Sequence, residues 1–286
     1  MKIGLALGGG GARGAAHFGV LKELDRLGIV PDLITGTSVG GLVGAMVAAG
    51  HSMDQMTNFF QKLSLTAIYA LPNSVPAFSS NTKVERMLEE LFGRITFADL
   101  QIPLAVVTTD LVSRREVILD EGDLVSAIMA TTSLPVLLPP VLRDGFALVD
   151  GGVLNSTPFD VARGRGATFV IAVDLSNTSP YEIEPEPKSS GYGLLDALPI
   201  PHTRRTWQVI SAINDIISST SLNARLALHP PDILLQPEMD KVAFFDSTQW
   251  KEGMAAGQAA VLEVEDQFVK LKKRMDKAAK TPVVHA

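Results

Sequence analysis

Gly36-Thr37-Ser38-Val39-Gly40 sets a serine among small residues, where the short apolar run Leu33–Thr35 gives way to the apolar stretch Val39–Ala49. A hydroxyl on so sharp a strand-to-helix turn stands clear of its neighbours, and small residues let the backbone reach that geometry. Ser38 is therefore the candidate nucleophile, with Gly36 and Gly40 flanking it in the elbow. The bland reading is that small residues crowd many tight turns between strand and helix. A second such turn, Gly8-Gly9-Gly10-Gly11-Ala12-Arg13-Gly14, follows the apolar run Ile3–Leu7. Consecutive glycines let several backbone N–H groups converge, and the helix behind them adds its positive end, so the loop suits an anion. That anion is either a phosphate or a transient oxyanion. No Lys-Ser or Lys-Thr follows, so this is not a Walker loop. Arg13 either adds positive charge beside the loop or is a structural arginine.

The third element is Asp150-Gly151-Gly152, directly after Phe146–Val149. A carboxylate at the end of a strand stands where α/β active sites are assembled, although Asp-Gly is also a common turn dipeptide. Beside Ser38 and the glycine loop, the catalytic reading becomes the stronger one. Of the five histidines, His17 lies near the glycine loop, while His51, His202, His229 and His285 fall at helix ends, in loops or in the tail. None sits in a triad motif, but triad members can come from anywhere in a chain. The expectation is a two-residue machine. There is no cysteine, which excludes disulfides, thiolate zinc sites and cysteine nucleophiles; no metal or cofactor is expected.

The elements that must position these groups follow from periodicity. Ile3–Leu7 reads as a strand, and Phe18, Leu21, Leu24 and Leu27 fall on one face of a helix over Ala15–Leu27. Leu33–Thr35, the elbow and Val39–Ala49 repeat the strand, turn and helix, with Gly50 at the helix end. Thr82-Lys83-Val84-Glu85 has capping-box spacing and opens a helix that Gly93 closes. Leu104–Asp110, Glu116–Leu119 and Thr168–Asp174 are strand-like, and Leu124–Ala130 reads as a short helix. Alternation of this kind predicts an α/β fold with a mainly parallel sheet. From Ser176 to Pro201 the composition shifts to Ser, Pro, Gly and acidic residues, predicting a long loop or lid. Trp207–Leu228 and Trp250–Lys273 read as helices around a last strand at Ile233–Leu235, and Lys270–Lys280 is expected to fray.

With 286 residues, 46% of them hydrophobic, the chain can bury a substantial core without staples. A net charge of −6 with mixed signs provides no basic stripe, so no nucleic-acid partner is expected. Met1–Leu7 runs into glycines too early for a secretory leader, and Val39–Ala49 is far short of the roughly 20 residues that cross a bilayer. The expectation is a cytoplasmic protein, at most peripheral to a membrane. The oligomeric state is not legible.

Together the three elements resemble the patatin-like phospholipase family, over Lys2 to about Asp174. Supporting the resemblance are His17-Phe18-Gly19-Val20-Leu21, Ser133-Leu134-Pro135 with Pro139-Pro140-Val141, and Asn155 and Pro158 after the aspartate. The resemblance implies a three-layer α/β/α sandwich, a single domain over 1–286, and hydrolysis of lipid esters such as phospholipids or lysophospholipids through an acyl-serine. It also implies roles. Ser38 would be the nucleophile, Asp150 its dyad partner, and the Gly9, Gly10 and Gly11 amides with Arg13 the oxyanion hole. Leu134 departs from the family, standing where small residues are frequent. Two rivals stand beside this reading: an acyltransferase with the same dyad, and a phosphate- or nucleotide-binding regulatory domain in which Ser38 is structural.

Overall fold

Alternation along β1 (Ile3–Leu7) shows how the sheet is covered. Ile3, Leu5 and Leu7 join one large apolar cluster, whereas Ala6 turns to a second cluster with Phe159, Ala162 and Leu222. A strand whose two faces both meet apolar helices belongs to the middle of a three-layer sandwich. The computed structural model describes residues 1–62, 82–135, 137–177, 179–180 and 204–280.

Eight strands form one sheet in the order β5-β6-β3-β2-β1-β7-β8, with β4 paired to β3. They are β2 (Leu33–Thr37), β3 (Leu104–Asp110), β4 (Arg115–Leu119), β5 (Val141–Arg143), β6 (Phe146–Asp150), β7 (Phe169–Val173) and β8 (Ile233–Leu235), besides β1. Pairs β3-β2, β2-β1, β1-β7 and β7-β8 are parallel; β3-β4, β3-β6 and β5-β6 are antiparallel. One face carries α1 (Ala15–Arg26), α2 (Val39–Ala48), α3 (Met53–Lys62), α4 (Thr82–Phe92) and α5 (Leu124–Thr131). The other carries α6 (Phe159–Gly164) and α7 (Arg204–Leu226). Next come α8 (Trp250–Glu263), packed along α1, and α9 (Glu265–Lys280).

Three elements escaped the periodicity: α3, α6 and β5. The last two are short, and Pro139-Pro140 masks the start of β5. The single helix expected over Trp250–Lys273 is two, divided at Val264. The Lys-rich end does not fray from Lys270 on. Phe268 and Leu271 are buried in the core, with Met275 packed against it, so the lysines are the solvated face of a docked helix. The expected loop or lid lies, from 181 to 201, outside the described residues.

Candidate active site

The register on β3 explains how Ser38 and Asp150 meet. β2 pairs with Leu104–Val107 and β6 with Thr108–Asp110, while β4 covers Val106–Asp110. A strand has only two edges, so β2 and β6 share one of them and run head-on. Thr37 lies opposite Val107 and Asp150 opposite Thr108. Two residues distant in sequence thus end their strands at adjoining positions. The Ser38 hydroxyl thus comes near enough to the Asp150 carboxylate to oppose the rise in its pKa.

Ser38 turns the chain with φ 55 and ψ −127, a region costly for any residue with a Cβ. The flanking glycines make the turn possible. A Cβ on Gly40 would stand 2.1 Å from the Leu7 carbonyl oxygen, and one on Gly36 would stand 2.6 Å from the Gly40 carbonyl. The Ser38 N–H donates to Thr131 Oγ1 at 2.9 Å, whose own hydroxyl donates to the Val107 carbonyl at 2.6 Å. Asp150 is 3% exposed, donates its N–H to the Ser133 carbonyl, and accepts the Gly152 N–H at 2.8 Å. Burial pushes its carboxyl up to about 6, against the opposing effect of the Ser38 and Gly152 hydrogen bonds.

The glycine loop is narrower as a donor set than expected. The Gly9 N–H is held by the Ser156 carbonyl at 2.9 Å, the Ala12 N–H by Phe244 and the Arg13 N–H by Gly10. Among the described residues, the N–H groups of Gly10 and Gly11 make no hydrogen bond; they head the turn Gly11–Gly14 that leads into α1. Gly9 is instead the close neighbour of Ser38, since a Cβ there would lie 3.3 Å from the serine's own. Arg13 is a buried, ion-paired residue. Its side chain is 2% exposed and its Nη1 lies 2.6 Å from Asp215 Oδ1, its Nε donates to the Val242 carbonyl at 3.1 Å, and Phe244 lies under its guanidinium. The charge is matched by a carboxylate of α7.

Gly11 has φ +58, and a Cβ there would meet the Phe244 carbonyl oxygen at 2.4 Å. Gly11→Ala is therefore expected to tilt the loop and lower kcat at least about tenfold with little change in KM, because oxyanion donors act on the transition state. Steady-state kinetics on a chromogenic ester check it; a change confined to KM would mark the loop as a ground-state site.

Among the described residues, no histidine is bonded to Ser38 or Asp150. Among the described residues the Asp150 carboxylate accepts the Gly152 N–H, with the Ser38 hydroxyl beside it. His17 is fully buried with Nε2 2.8 Å from the Gly8 carbonyl oxygen, so Nε2 carries the proton; Nδ1 has no partner among the described residues. Burial holds this imidazole down at about 4, which keeps it neutral. His51 packs edge-on to Phe92. His202 and His285 lie outside the described residues. Leu134 follows the carbonyl that holds Asp150 and packs with Leu137, Phe244 and Phe245. No three His, Asp or Glu side chains among the described residues gather so as to hold a metal ion, and no described helix is long and apolar enough to cross a membrane.

Sequence reasoning missed Thr131 and Asp215, and marked Ser133 only through the resemblance. Their bonds to the site span large separations, 93 residues for Thr131 and 202 for Asp215, and no local pattern encodes such pairing. Asn155, which sequence reasoning marked only through the resemblance, supports the elbow directly. Its carbonyl accepts the Thr37 hydroxyl at 2.8 Å, one residue before Ser38.

The chain is 34% identical over 183 residues to the neuropathy target esterase sws of Drosophila melanogaster, covering 61% of this chain and 13% of that one. It is 34% identical over 202 residues to the human patatin-like phospholipase domain-containing protein 6, covering 68% of this chain and 15% of the relative. It thus spans only about a seventh of the length of these curated relatives. Among solved structures, VipD from Legionella pneumophila superposes with a TM-score of 0.60 at 13% identity, covering 93% of this chain and 67% of that one, a likeness of fold. The sequence profile of the patatin-like phospholipases matches residues 5–163, which include the glycine loop, the elbow and Asp150; the chain belongs to the patatin-like phospholipase family.

Proposed function

We propose that the protein is a serine hydrolase of lipid carboxylic esters, with Ser38 as nucleophile, Asp150 as the only general base and the Gly10 and Gly11 amides as oxyanion donors. The observation that carries this reading is the meeting of the Ser38 hydroxyl with a buried carboxylate at the adjoining register of β3. Asp150 takes the hydroxyl proton as Ser38 Oγ attacks the ester carbonyl, and the amides meet the charge that forms on oxygen. The leaving alkoxide takes the proton and departs, leaving an acyl-serine. Water, deprotonated by Asp150, then releases the fatty acid and restores Ser38. Lipid esters as the substrate class rest on family membership and on the names of the relatives. A phosphate site is less well supported, because the loop's own cation, Arg13, is engaged with Asp215. Covalent labelling of Ser38 by a fluorophosphonate, lost in Ser38→Ala, tests the assignment; absence of labelling in the wild-type chain would count against it.

The pH profile carries a second expectation. A base must be deprotonated, so kcat/KM should fall as pH drops through about 6, the position to which burial raises Asp150. An imidazole would give a similar limb, starting from about 6.5. Cosolvent separates the two. Ionising a carboxylic acid creates charge, so adding a miscible alcohol moves its limb upward, while loss of a proton from an imidazolium does not change the amount of charge and moves little. His17, held at about 4, stays neutral throughout. A limb insensitive to alcohol would point to a histidine.

A further inference from the structure

Helix α7 lies outside the family match at 5–163, yet it grips the site from two sides. On one side Asp215 receives the buried Arg13 guanidinium, and its Oδ1 also accepts the Asn177 N–H at 3.2 Å, just beyond the end of β7. Arg13 stands in the turn whose first N–H groups are those of Gly10 and Gly11. On the other side the Ser221 hydroxyl donates to the Leu154 carbonyl at 2.6 Å, and Arg225 reaches the same carbonyl, Glu116 and Asp160. Asp160 accepts the Asn155 amide at 2.9 Å, and the Asn155 carbonyl holds Thr37. The strap that follows Asp150 and the residue that precedes Ser38 are tied by this chain of bonds to the helix that holds the glycine loop.

A buried ion pair is weak evidence for stability, because well-packed apolar residues of similar volume often do as well. Fixed direction is what a charged, hydrogen-bonded pair adds. We infer that α7 is a positioning element of the active site, and that Asp215 is a positioning residue that aims the Gly10 and Gly11 amides through Arg13. This rests on the proposed function, since it needs an oxyanion to stabilise. Displacing a donor by a few tenths of an ångström weakens a contact that matters mainly in the transition state, so the loss should fall in kcat.

The test uses the full chain and a p-nitrophenyl ester. Asp215→Asn is expected to lower kcat about 30-fold with KM changed by less than about twofold. Because that variant strands a buried guanidinium, it is made alongside the double variant Arg13→Met, Asp215→Leu, which removes both charges at similar volume. The double variant should regain wild-type melting temperature while its kcat stays low. Regained stability together with wild-type kcat would overturn the inference and leave the pair a packing feature. Failure of the double variant to fold would also overturn it, since the pair would then be required for folding itself. The wild-type chain is the separate control: if it neither hydrolyses the ester nor labels with fluorophosphonate, the proposed function fails, whereas losses confined to the variants bear on α7.

Discussion

Asp150→Asn is expected to lower kcat by about a hundredfold or more and, at neutral pH, to make the folded protein more stable. Asparagine keeps the shape of the side chain, and its Oδ1 can still accept the Gly152 N–H that now lies 2.8 Å from the carboxylate. It cannot take a proton from Ser38. The gain in stability follows from the same burial that raises the carboxyl of the proposed base. Asp150 starts from an ordinary value of 3.8 and is raised to about 6 in the fold. Between those values the folded state binds more protons than the unfolded chain, so stability falls as pH rises through that window, and the full cost of the buried charge is present above about 6. At roughly 1.4 kcal/mol per pH unit, and allowing for the amide's own desolvation, the cost avoided is about 2 kcal/mol. Urea unfolding at pH 7.5 and at pH 4 checks it: the variant should exceed wild type at the higher pH and lose that advantage at the lower. A variant less stable than wild type at both, or one that keeps more than about a tenth of kcat, would remove Asp150 from the role of buried base.

What could be read from the sequence was whatever is local. β1 with its glycine loop, β2 with its elbow, and β6 ending in Asp150 are each contiguous strand-and-turn units, and apolar periodicity with small-residue punctuation marks all three. Their meeting could not be read, because it depends on β2 and β6 sharing an edge of β3, and β6 reaches that edge antiparallel in a sheet whose pattern suggests parallel strands. The division of labour within Gly8–Gly11 was hidden for a related reason. Any of those amides is free to donate until Val173 and Ser156 claim the first two from across the fold. Arg13 shows the limit most clearly: a cation next to an anion loop invites an electrostatic role, but the carboxylate that answers it is 202 residues away on a helix that carries no motif.

Ser38→Ala and Ser38→Gly should both abolish turnover, by about ten-thousandfold or more, and yet differ in stability. Neither offers a nucleophile, and water held by Asp150 and the glycine loop is a poor replacement. The difference lies in the backbone. With φ 55 and ψ −127, Ser38 occupies a conformation in which a Cβ costs about 1–3 kcal/mol, and alanine inherits that cost in full. Glycine escapes it but loses more chain entropy on folding, about 0.5–1 kcal/mol. The net expectation is that Ser38→Gly is more stable than Ser38→Ala by about 1 kcal/mol, read from urea midpoints at equal m-value. The order is informative because at an ordinary helical or extended position it reverses, alanine being the more stable. The strain is held in place by Gly36 and Gly40, which allow the Leu7 and Gly40 carbonyls to approach so closely, and by Thr131, which fixes the Ser38 N–H. An alanine variant as stable as the glycine one would show the elbow to be relaxed, and the exposure of the hydroxyl would then need another cause than a backbone held against its preference.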